Sequence, residues 1–118
     1  EQITAITLVG AASAAALPAL ADLQADAQAA TLRSLAQAAT SAMVLNQAGC
    51  LVTGQQVQTG KCSAVRQCGD VADLLLAGVP PGYRVVDAPL AVASTTACQL
   101  VQEPGGAEAP FIGIAAGR

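Results

Sequence analysis

Four thiols and one isolated carboxylate are the side chains in this sequence whose types and spacing call for chemistry. The thiols are Cys50, Cys62, Cys68 and Cys98, with no histidine anywhere and no CxxC pair among them. Structural zinc usually draws its ligands from such close pairs. The spacing therefore favours disulfides, which form in oxidising compartments outside the cytosol. The carboxylate is Glu1. It heads a run, QITAITLVGAASAAALPALA, that stays uncharged until Asp22. A carboxylate at the edge of an apolar stretch of bilayer-spanning length is unfavourable unless a cation pairs with it, and no Lys or Arg precedes Arg33. The expected partner is a group on another chain, which points to an assembled filament or a membrane oligomer.

Little else suggests reactivity. Without histidine the commonest general base and metal ligand is missing. Ser34, Ser41, Ser63 and Ser94 stand outside any nucleophile-elbow context, and no phosphate-binding glycine loop or Walker sequence occurs. Asp70 and Asp73 read as a helix cap with a capping-box partner in preference to a calcium site. Asp87 and Glu103 read as surface acids and Tyr83 as a half-buried strand aromatic. The expectation is a chain that is not an enzyme and takes no cofactor or metal. The net charge is −3. Arg33, Lys61, Arg66, Arg84 and Arg118 are scattered, so a nucleic-acid partner is possible but unsupported by charge.

The elements that must hold these residues follow from composition. The chain is 53% hydrophobic, 11% charged and 2% aromatic, with a mean hydropathy of +0.52. A core here must be aliphatic and rich in Ala. Residues 1–47 predict one long helical tract, dense in Ala and closed at Gly49. Beyond Pro18 the tract is amphipathic. Leu20, Leu23, Ala27, Ala30, Leu32, Leu35, Ala39, Ala42 and Met43 fall on one side; Asp22, Asp26, Arg33, Gln37 and Ser41 lie largely on the other. Gly10 and Pro18 predict a kink, or loss of helix between them in an assembly. A short helix is predicted over Val71–Ala77, capped by Asp70 and ended by Gly78. Strands are predicted at Tyr83–Val86, Ala97–Gln102 and Phe111–Ala115, the last two joined by the turn Glu103-Pro104-Gly105-Gly106. The fold class is α+β: a long N-terminal helix packed on a small antiparallel sheet of three or four strands.

With these elements in place the chain resembles type IV pilins and pilin-like proteins. In that family a near-universal Glu follows a short apolar tetrapeptide, and Gly and Pro stand at set distances down an apolar helix. Glu1, Gly10 and Pro18 fit those distances, and Leu17-Pro18-Ala19-Leu20 is similar to the family's helix break. The passage ADLQADAQAATLRSLAQAA resembles the second half of the pilin helix, particularly of mannose-sensitive-haemagglutinin-like pilins. CGDVADLLLAG, the PPGY turn and the late Cys98 strand are similar to pilin heads of Gram-negative bacteria. The resemblance implies a single pilin domain. Residues 1–19 would form the filament-core or membrane helix, and 20–118 the head.

The resemblance also implies a function: a major pilin of an extracellular type IV pilus, serving adhesion, twitching motility or DNA uptake. The alternatives are a type II secretion pseudopilin or a minor pilin with a binding head. The implied partners are copies of the same chain in a helical homopolymer, the inner membrane before assembly, and the assembly machinery. Glu1, Leu8, Val9, Gly10, Leu17, Pro18 and Leu20 are the implied assembly residues. The family's Glu pairs with a neighbour's N-terminal amine, a role Glu1 takes over only if a longer N-terminus is present in the filament. The late cysteines of pilin heads tie helix to strand, which implies Cys68–Cys98. Cys50–Cys62 would then close a hairpin-like loop after the long helix. Cys50–Cys68 with Cys62–Cys98 is the other arrangement.

Overall fold

The computed structural model describes residues 17–92, 94–103 and 105–118, and for residues 17–22 the backbone alone. Two compact units are distinguished, Glu1–Thr31 and Leu32–Arg118. In the first, the described residues are helical, and every side chain from Leu23 to Thr31 is exposed. The second unit holds the core.

The helix, α1, spans Leu17–Val52. Its buried positions in the second unit are Leu32, Ala36, Ala39, Met43, Asn46 and Cys50. The steps between them alternate four and three residues, which keeps one narrow stripe facing one way. A short 3₁₀ helix follows at Cys68–Asp73. Three strands complete the unit: β1, Tyr83–Val86; β2, Thr95–Gln102; and β3, Glu108–Ile114. They form one antiparallel sheet in the order β1-β2-β3, with Val85 opposite Leu100 and Cys98 opposite Phe111.

In β3 burial alternates as period-two geometry requires. Ala109, Phe111 and Gly113 face inward, whereas Glu108, Pro110 and Ile112 are exposed. The inward residues meet the α1 stripe, joined by Val65, Cys68, Val71 and Leu90 from the connections. Phe111 and Met43 are among the largest fully buried side chains. Fully burying a side chain of that size contributes roughly 1.5–3 kcal/mol. The coarse α+β expectation of one long helix on a small antiparallel sheet with disulfides is the architecture observed. β1 matches its predicted bounds, β2 starts two residues earlier than predicted, and β3 runs from Glu108 instead of Phe111.

Two local expectations are corrected. Gly49 does not close the helix, which continues to Val52. The stop comes where Gly54 takes a φ of 65° and the Gln55 N–H reaches back to the Cys50 carbonyl, the usual role of a residue just past a helix end. Gly49 instead makes room. A Cβ there would lie 1.8 Å from the Lys61 carbonyl oxygen, because the returning chain crosses the helix at that point. The second correction concerns Asp70, which does not cap a helix over Val71–Ala77. It sits within the 3₁₀ turn, and its carboxylate accepts the N–H groups of Arg66 and Gln67 at 2.8 and 3.2 Å. The N-cap is Gln67 and Asp70 is its capping-box partner, so the element starts three residues earlier than expected and ends at Asp73, and the roles expected of Asp70 and Asp73 are not the ones observed. No group of three or more metal-binding side chains occurs among the described residues.

These contacts set the sign of two substitutions. Helix propensity alone makes Gly49→Ala stabilising by about 1 kcal/mol. The crossing backbone reverses that, and we expect a net loss of about 1–3 kcal/mol. Asn46→Ala should cost about 1–3 kcal/mol by leaving the polar groups of Ser63 unpaired. Denaturant unfolding of the full chain measures both, and a more stable Gly49→Ala protein would contradict the close approach.

Candidate functional site

Of the implied assembly residues, Glu1, Leu8, Val9 and Gly10 lie outside the described residues. Leu17, Pro18 and Leu20 lie in α1, in the stretch where the backbone alone is described. Most of the expected kink between Gly10 and Pro18 therefore lies outside the described residues, as does most of the apolar segment 1–19. Among the described residues no helix is long and apolar enough to cross a membrane.

What the structure does describe is the outer surface of α1 in the second unit. Its exposed residues include Ser34, Gln37, Ala38, Ser41, Val44, Leu45, Ala48, Leu51 and Val52. From Ser34 through Gly60 the sequence carries no charged side chain. A surface helix that meets only water normally puts charge on its outer face. This one puts apolar side chains there: Leu45 is 72% exposed, Leu51 66% and Val52 81%. Ala38, Ser41 and Ala48 lie among them, small enough for another backbone to approach closely. Sequence reasoning assigned the polar side of the helix to Gln37 and Ser41 and overlooked these aliphatic residues. The uninterrupted neutrality from Ser34 onward was the signal that could have found them.

The last two helical turns are fastened to the chain that returns past them. The Asn46 side-chain amide donates to the Ser63 carbonyl at 2.9 Å and accepts the Ser63 N–H at 2.8 Å. One turn later Cys50 is bonded to Cys62. The second disulfide is Cys68–Cys98, so the pairing is the one expected, and the arrangement Cys50–Cys68 with Cys62–Cys98 is not observed. The Cys68–Cys98 bond fits because β3 has a glycine beside it: a Cβ on Gly113 would lie 2.5 Å from the Cys98 Sγ. All four sulfurs belong to residues that are at most 2% exposed.

The charged residues are mostly on the surface. Arg84 pairs with Glu103, both about half exposed. Asp87 is exposed, and its carboxylate accepts the Gly69 N–H at 2.9 Å. Tyr83 is half-buried against the core, its hydroxyl accepting from the Gln102 side chain at 3.3 Å.

No protein-family model, no curated protein and no solved structure matches this chain.

The two disulfides close loops of different length, with sequence separations of 12 and 30. Loop-closure entropy makes the longer one more stabilising, about 3.6 against about 2.8 kcal/mol. Replacing Cys68 and Cys98 together by Ala should lower the unfolding free energy more than replacing Cys50 and Cys62. Because the sulfurs are enclosed, reductant without denaturant should leave both bonds intact on the timescale that reduces an exposed disulfide. Non-reducing peptide maps over a reduction time course test both statements.

Proposed function

We propose that this chain is a fibre-forming subunit of the type IV pilin kind, a major pilin of an extracellular pilus on a Gram-negative bacterium. Residues 1–19 hold it in the inner membrane before assembly and join the filament core afterwards. The fibre serves adhesion, twitching motility or DNA uptake.

The observation that carries this reading is the neutral, apolar outer face of α1. The inner stripe of the helix already has its sheet. A second apolar side, exposed on the monomer, is a surface for another helix. In sequence, this face and the uncharged run 2–21 flank a short charged interval that contains Asp22, Asp26 and Arg33. The Glu1, Gly10 and Pro18 spacing supports the same reading, as do the long helix, the three-stranded sheet and the two disulfides, which suit an oxidising exterior. Identical subunits that repeat through a contact with no rotational closure form an open filament.

Two sets of variants test it in the bacterium that makes the protein. Glu1→Gln should leave head stability unchanged and cut the yield of sheared surface fibres several-fold. Leu45→Asp and Val52→Asp, at exposed positions, should each change stability by no more than about 0.5 kcal/mol and also reduce fibre yield. Normal fibres from all three variants, or no fibres from the wild-type chain under any condition of expression, would refute the assignment.

A further inference from the structure

A cavity of about 550 Å³ opens at the C-terminal end of α1. Volumes of this order are typical of sites for small organic molecules. Its floor is apolar and buried: Val65, Leu90 and Ile114 are between 1% and 7% exposed. Val92 stands at its edge and is 87% exposed. Two of the chain's five cationic side chains, Arg66 and Arg118, line it, and no Asp or Glu does. Among the described residues neither guanidinium has a hydrogen-bond or ion-pair partner. One oxygen of the nearby Asp70 carboxylate accepts the backbone N–H groups of Arg66 and Gln67.

The second arginine is held at the site by an unusual residue. Gln55 has a φ of 67°, the one positive φ outside glycine among the described residues, in a region that side-chain-bearing residues enter infrequently. From there its side-chain oxygen accepts the Gly117 N–H at 2.9 Å. This bond ties the segment bearing Arg118 to the end of α1.

Aliphatic floor and cationic rim together select the ligand. A plain anion gains nothing from Leu90 and Ile114, and a neutral hydrocarbon gains nothing from the arginines. A carboxylate with an aliphatic tail uses both, since a guanidinium fork matches a carboxylate in two parallel hydrogen bonds. We propose that this cavity binds a small aliphatic carboxylate of the fatty-acid class, its head group between Arg66 and Arg118 and its tail on the Val65–Leu90–Ile114 floor. This inference rests on the cavity lining and not on the fibre reading, although Leu51 belongs both to the cavity wall and to the exposed side of α1.

The test uses the full chain and a photoreactive decanoate, with labelled residues mapped by mass spectrometry. Labelling should concentrate on the peptides carrying residues 90–95 and 114–118. Unlabelled decanoate should compete, while decanol and inorganic phosphate should not. Arg66→Gln with Arg118→Gln should lower labelling at least tenfold while the disulfide map and circular dichroism stay unchanged. Val92→Asp, which places a carboxylate at the exposed edge, should act in the same direction and serves if the double variant is poorly produced. Gln55→Ala should weaken labelling partially, as a positioning residue. Equal labelling by the matching photoreactive alcohol, displacement by phosphate, or label concentrated on Ala38, Ser41 and Leu45, exposed α1 residues that do not line the cavity, would each overturn the proposal.

Discussion

The whole second unit hangs on how the chain leaves α1. At Val52 the helix stops and the backbone turns back against its own last two turns, and three contacts fix that return within one helical turn of each other. Asn46 binds Ser63 through both its amide atoms, Gly49 admits the Lys61 carbonyl, and Cys50 is bonded to Cys62. Once Ser63 is placed, Val65 is in position to exchange backbone hydrogen bonds with Ala116. The Leu90 N–H then bonds to the Arg66 carbonyl and the Cys68 N–H to that of Ala88. A chain so poor in aromatics has few large side chains with which to order a core. Covalent and polar fastening at the helix end supplies geometric definition that Ala-rich packing cannot.

Much of this was legible in the sequence, and the failures share a cause. The β1 bounds, the turn after Gln102, the Leu32–Ala39–Met43 stripe and the disulfide pairing follow from local patterns or from the resemblance. Gly49, Asp70 and the outer face of α1 do not. Gly49 looked like a helix stop because glycine commonly is one; its actual constraint comes from Lys61, twelve residues on, visible only once the chain folds back. Asp70 looked like a cap because an aspartate preceding a helical run usually is one, yet it binds N–H groups that lie before it in the sequence. Asn46 gave no sign of burial, since its partner is the backbone of Ser63, which has no sequence signature. Local rules found local contacts; tertiary ones decided the exceptions. The cavity is another such case, built from four separate stretches of chain that no single motif marks.

A helix with apolar side chains on both sides is an incomplete object in water. The inner side of α1 is satisfied by Phe111, Leu100 and Ile114. On the outer side, burial of each exposed Leu or Val would contribute roughly 1.5–3 kcal/mol, a gain that the isolated unit forgoes. Uncharged side chains there also lack the like-charge repulsion that ordinarily keeps identical surfaces apart. A water-facing monomer gains nothing from Leu45, Leu51 and Val52 outward with no Lys or Glu among them; the contact between copies proposed above gives them a place to be buried.

The sheet is built to avoid the competing mode of self-association. An open sheet edge offers unpaired N–H and C=O groups to any passing strand. On β3 the Ile112 N–H points away from β2 and is taken up by the Thr40 hydroxyl of α1 at 3.0 Å. Pro110, two residues earlier and therefore on the same side, has no N–H to offer. The opposite edge, β1, is only four residues long, too short to template extensive pairing. Strand addition is thus hindered by one hydroxyl, one proline and one short strand, while the helix face remains open. In the association proposed above, the bare apolar face of α1 is the surface left to a second copy.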